Sequence, residues 1–128
     1  MAMPTTSEPV TGDKTSAAER IESVLPRRFL RQLLFVALGS EERSYGYELA
    51  EAVRSHGLAV DLAGVYRELR SLERRDFLSS DWEPSKNGPD RRVYIMTETG
   101  RAARAEAIES LRQARDHLTA AIEEASRP

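Results

Sequence analysis

The chain contains no cysteine. Disulfides, thiolate zinc sites and thiol nucleophiles are therefore excluded, and the composition fits a cytoplasmic protein. No run of about 18 apolar residues occurs, so no membrane partner is expected. The opening "MAMPTTSEPVTGDKTS" lacks the apolar segment of a secretory signal. Histidine is confined to His56 and His117, with no ligand-like spacing. No His-Glu metal motif, nucleophile elbow or glycine-rich phosphate loop is present. Neither an enzyme nor a cofactor or metal is expected. An excess of either charge is also missing. The formal charge is −2, and residues 26–100 hold 12 basic and 12 acidic side chains. Bulk attraction to a polyanion is thereby excluded, and any anion-binding face must arise from local sorting of charges.

Of the 19 basic residues, only Lys14 and Lys86 are lysine, and the remainder are arginine. With 128 residues, 40% hydrophobic and 31% charged, the chain suits one domain with a modest core. Residues 1–15, rich in Pro, Thr, Ser and Gly, are expected to form a disordered tail. "SAAE" is a capping box, with Ser16 as N-cap and Glu19 reaching back, and it predicts a short helix from Ala17 to Val24. Pro26 suits the first turn of the next helix, "RRFLRQLLFVALG". Leu30, Leu33, Leu34, Ala37 and Leu38 share its inner side and Gly39 ends it. Ser44 is placed as the cap of a further helix, "YGYELAEAVRSH", with Leu49, Ala50 and Val53 inside and Gly57 as its stop. After a short link, Asp61 caps the helix that follows. Tyr47 is assigned to the core.

The pattern changes after Phe77. "FLSSDW" and "RRVYIM" are strand-like, and "EPSKNGPD" between them carries the Asn87-Gly88 turn signal. Trp82, on the first strand, is assigned to packing. Thr97 then caps a long last helix. Two helices joined by a tight glycine-containing turn and followed by a hairpin describe a winged helix-turn-helix. The expected fold class is mainly α (α+β), with 16–100 as the winged-helix unit and 101–128 as a C-terminal dimerisation helix.

"VYRELRSLERR" holds four arginines and two glutamates. On a helical wheel Leu62, Val65, Leu69 and Leu72 face inward. Gly64, Arg67, Ser71 and Arg74 face outward, flanked by Arg70 and Arg75. Two interpretations compete: a solvated face neutralised within the helix by Arg70–Glu73 and Glu68–Arg75 pairs, or a set of base and phosphate contacts. Its place after a tight turn and before a hairpin selects the second, since such a helix enters the major groove. Arginine suits guanine and serine suits several bases. Gly64 would let the backbone come close to a phosphate. Ser44 and Tyr45 at the preceding helix start, and Lys86, Asn87, Arg91 and Arg92 on the hairpin, are candidate contacts to the DNA backbone. Arg27, Arg28 and Arg31 could meet phosphate or snorkel over the core.

In the last helix Ala107, Leu111, Ala114, Leu118, Ala121 and Ala125 repeat at steps of four and three, broadened by Ile108 and Ile122. This spacing indicates helix-to-helix packing, against a second copy or against the helix of residues 17–24. A homodimer would double the readout and match a palindromic operator in double-stranded DNA.

"YGYELAEAV", "VYRELRSLERRDFLSSDW" and "RRVYIMTETGRA" resemble the PadR-like transcriptional regulators from about Leu30 to Ala103. The resemblance implies a homodimeric repressor on a near-palindromic operator, with the single last helix as the dimerisation helix of the short subgroup. The chain departs from the family at two places. Arg67 stands where the recognition helix commonly has proline, and Asp76 stands where a glycine commonly precedes the wing. Some relatives bind aromatic drugs between tryptophan-bearing dimerisation helices, whereas this last helix has no aromatic residue. Two alternatives remain open: a winged-helix module that binds protein, supported by Asp76, Asp81, Glu83 and Asp90 around the wing, and a sensor with a small-molecule effector at the dimer interface.

Overall fold

A computed structural model describes residues 24–39 and 43–128. The expected tail at 1–15, the capping box and all of the first short helix up to residue 23 lie outside the described residues. A 3-10 turn, Arg27–Phe29, opens on Pro26 and leads into α1 (Leu30–Leu38). Gly39, at φ 67°, ends α1 in the left-handed region. There follow β1 (Ser44–Tyr45), α2 (Gly46–Ser55), α3 (Leu62–Arg74), β2 (Leu78–Glu83), β3 (Arg91–Met96) and α4 (Glu98–Ala125). The sheet is antiparallel in the order β1-β3-β2. This is a winged helix-turn-helix with one long trailing helix.

The core sits where α1, α2 and α3 meet the base of the sheet. Leu33, Leu34, Phe35 and Leu38 pack with Leu49, Ala50, Val53, Val65, Leu69 and Leu72, closed below by Leu78, Tyr94 and Met96. Leu58 and Val60 fill the turn between α2 and α3. That turn is held by the Arg54 Nε donating to the Val60 carbonyl at 2.9 Å. Two predicted core positions are corrected. Leu62 is 37% exposed, because it precedes the first turn that reaches the core. Tyr47 is 63% exposed, on the outward side of the α2 start.

Cap assignments follow the sequence at two helices. The Asp61 carboxylate accepts from the Gly64 N–H at 2.8 Å, and the Thr97 hydroxyl from the Gly100 N–H at 2.9 Å. At α2 the assignment is corrected. Tyr45 is the N-cap and no side chain caps it. Ser44 instead pairs with Tyr94 in the sheet, and its hydroxyl donates to the Leu38 carbonyl at 3.5 Å. The end of α3 is a Schellman motif: the Asp76 N–H reaches the Glu73 carbonyl and the Phe77 N–H the Leu72 carbonyl, each at 3.0 Å. Asp76 takes the left-handed position at φ 67°.

α4 lies along α1 for its first turns only. Ala103 and Ala107 touch the core, and the Arg104 Nε donates to the Phe35 carbonyl at 2.8 Å. Gly100 is the one buried residue of the helix. A Cβ there would stand 2.0 Å from the Phe77 carbonyl oxygen, so the close approach of α4 to the start of the wing requires glycine.

Candidate nucleic-acid interface

α3 carries the outward face predicted for residues 62–75. Val65, Leu69 and Leu72 are fully buried, which fixes the helix roll, and Arg67, Arg70 and Arg74 emerge exposed on the other side. Ser71 is half-buried between them. The pairs that would have neutralised this row from within the helix do not form. Glu68 turns sideways to Arg31 on α1, at 2.6 Å. Glu73 turns to the wing, where it accepts from the Ser80 hydroxyl at 2.6 Å and faces Arg92 at 3.8 Å. Among the described residues Arg67, Arg70, Arg74 and Arg75 have no ion-pair partner. The two α3 acids are thus engaged by other elements, and an unneutralised guanidinium row remains.

Gly64 does not belong to that row. It is buried, and a Cβ would meet the Asp61 carboxylate at 2.8 Å and the Arg27 guanidinium at 3.0 Å. Its small size therefore serves the N-terminal cap and the approach of Arg27. Ser44 is 8% exposed and turned inward, so it presents nothing to a ligand.

Tyr45 is half-buried, and its hydroxyl donates to the Glu83 carboxylate. Glu83 also takes Arg43 at 3.1 Å and Arg91 at 3.6 Å, and the Arg91 guanidinium lies 4.3 Å from the centre of the Tyr45 ring. The hydrogen bond from Tyr45, reinforced by the Arg43 and Arg91 charges, holds the Glu83 carboxyl below its ordinary range despite partial desolvation. The same bond pushes the Tyr45 phenol up. Lys86 and Asn87 stand exposed at the wing tip. Arg92 is half-buried, donates to the Ser80 hydroxyl at 3.1 Å and lies over the Trp82 ring at 5.1 Å. The wing cations Arg91 and Arg92 are therefore partly engaged by Glu83 and Glu73, while among the described residues the α3 row has no such acid.

Sequence reasoning missed two aromatics. Trp82, expected to pack, is 59% exposed. Along β2, Leu78, Ser80 and Trp82 point to one side, as do Met96, Tyr94 and Arg92 opposite them on β3. That side is core at the base and open by the time it reaches Trp82. With Tyr45, Tyr47, Tyr66 and Arg70 it walls a groove of about 480 Å³. A larger groove, about 780 Å³, lies between α1, α3 and α4. Its floor includes Leu30, Phe35 and Phe77, and Arg27, Arg28 and Arg67 line its rim.

On α4 the apolar stripe leaves the head behind. Ala107, Ile108, Leu111 and Ala114 are half-buried, whereas Leu118 (59%), Ala121, Ile122 (64%) and Ala125 are exposed. Among the described residues no helix is long and apolar enough to cross a membrane.

Residues 34–106 match the family model described as the transcriptional regulator PadR-like family. The sequence has no match among curated proteins. The fold is similar to the crystal structure of a PadR family transcriptional regulator from Eggerthella lenta, at 23% identity and a TM-score of 0.63, over 88% of this chain and 94% of that one. It is similar to a Streptococcus mutans protein at 21% identity and a TM-score of 0.68, over 82% and 98% of the two chains. Bacillus subtilis PadR, solved in complex with operator DNA, matches at 16% identity and a TM-score of 0.57, over 65% of this chain and 48% of that one.

Proposed function

Since this chain belongs to the PadR-like family of transcriptional regulators, we propose that it is a sequence-specific DNA-binding protein, a homodimeric repressor that inserts α3 into the major groove of a palindromic operator. The observation that carries this reading is the row of Arg67, Arg70 and Arg74, exposed and free of carboxylate partners among the described residues, on a helix that follows a tight turn. Arg67, Ser71 and Arg74 read base edges. Arg70, Lys86, Asn87, Arg91 and Arg92 hold phosphates. Binding of operator DNA by the Bacillus subtilis relative supports the assignment. The turning away of Glu68 and Glu73 favours DNA over a protein partner, which would be better met by acids on the outer face.

The exposed stripe on α4 supports a twofold partner, with 16–100 as head, 101–128 as dimerisation helix and 1–15 as tail. Footprinting on the gene's own promoter tests the proposal. Arg67→Ala and Arg74→Ala are each expected to cost about 1–3 kcal/mol of specific binding. Unchanged footprints in both variants overturn the base-reading assignment. A reporter that rises on deletion of the gene supports repression, and one that falls overturns it.

The groove between α1, α3 and α4 favours a second, compatible reading, a small-molecule effector bound against the dimerisation helix. A ligand that raises the melting temperature and weakens DNA binding supports it.

A further inference from the structure

Tyr47 and Trp82 are the two most exposed aromatic side chains of the described residues, and they line the same groove. Large aromatic surfaces left open together on a water-soluble head mark a contact site. The chemistry around them restricts the partner. Arg70 enters the groove from the guanidinium row of α3, and Arg91 and Arg92 enter from the wing, with Asp90 as the opposing charge. Tyr66, whose ring packs against Gly46, closes the floor. The groove is therefore apolar inside and cationic at its edge, and it continues the face proposed above for DNA. A nucleotide backbone has the complementary layout: a deoxyribose with C–H faces, joined to a phosphate.

We infer that this groove seats one sugar–phosphate unit of the DNA backbone, with the deoxyribose against the Trp82 indole and the phosphate on the Tyr47 hydroxyl and the Arg70 guanidinium. The inference rests on the DNA-binding reading. It adds two contact residues that are neutral and on different elements from the α3 row. The Arg92 guanidinium, 5.1 Å from the centre of the indole, helps to hold the ring in place. Because the unit lacks a base, the contact is independent of sequence and fixes how α2 and the wing straddle one strand.

Trp82 is the sole tryptophan, so its emission reports the groove alone. The test uses the full chain and a labelled 30-base-pair duplex of arbitrary sequence at low salt. Anisotropy of the label reports binding, and acrylamide quenching reports the indole. At saturation the quenching constant is expected to fall by about twofold or more. Trp82→Thr is expected to weaken binding about fivefold, Trp82→Phe by less, and Tyr47→Phe by about threefold. Trp82→Thr leaves the log–log salt slope unchanged, since it removes no charge, whereas Arg70→Ala lowers it by about one. Melting temperatures should not move, because both aromatic side chains are exposed. If the duplex binds and Trp82 stays equally quenchable, the groove assignment is wrong while DNA binding stands. If the wild-type chain binds no duplex at low salt, the DNA reading itself falls, and this inference with it. The wild-type quenching measurement decides even if a variant folds poorly.

Discussion

Asp76 occupies a backbone position at φ 67° that favours glycine, at the step from α3 into the wing. Asp76→Gly is expected to raise unfolding free energy by about 0.5–1 kcal/mol, read as a higher denaturant midpoint at constant slope. Gly100 lies at the other side of the same joint. Gly100→Ala would drive a methyl onto the Phe77 carbonyl, for a loss of roughly 2–3 kcal/mol in the same measurement. The Asp61 and Thr97 caps could be seen in the sequence, because a cap needs only a local side chain and its own helix. Tyr47 and Trp82 could not. Hydrophobicity assigns them to the interior, while their exposure depends on where a strand or helix outruns the core. The burial of Gly64 has a partly similar cause: besides its own cap Asp61 and Val60, it is packed by Arg27, distant in sequence.

The wing is fastened to β1 near its loop end by Glu83, which gathers Tyr45, Arg43 and Arg91. The carboxyl is held below its ordinary range, so its contribution is fully present above the unfolded glutamate value, about 4.3, and is lost as the pH falls through the lower folded value. Trp82 emission should therefore shift on acidification before global unfolding, and Glu83→Gln should abolish that early shift. An unchanged profile in the variant would assign the transition to other groups. β1 was not legible, since two residues carry no period, and Ser44 resembled a cap. The strands of the hairpin and the helices were legible because their apolar spacing is long enough to repeat. Which neighbours Glu68 and Glu73 would choose was not, since ion pairs within one helix are weak and tertiary partners displaced them. For α4, Leu118→Glu with Ile122→Glu is expected to convert a dimer to a monomer in light scattering, with little change in head stability, because both side chains lie outside the core.

At the scale of the molecule, a formal charge of −2 gives no general attraction to DNA. On the proposed reading, affinity comes from sorted arginines and from duplication of the head. The same Leu118, Ile122 double variant should lose specific operator binding far more than twofold, while its weak binding to arbitrary duplex persists. Binding equal to wild type on the operator would show that one head suffices. Fold class and the outward α3 face are legible in the sequence, whereas the groove beside the wing exists only once α2, α3 and the sheet are assembled.

The glycine joint between Phe77 and α4 has a mechanical consequence. With no side chain at Gly100 and a backbone oxygen hard against it, the first turn of α4 is clamped to the wing root. The helix then behaves as a rigid lever about 42 Å long. A tilt of about 5° at the clamp swings its far end by about 4 Å. In the proposed dimer, anything that reshapes the junction would reset the distance between the two heads, and so the gauge of the track they can straddle.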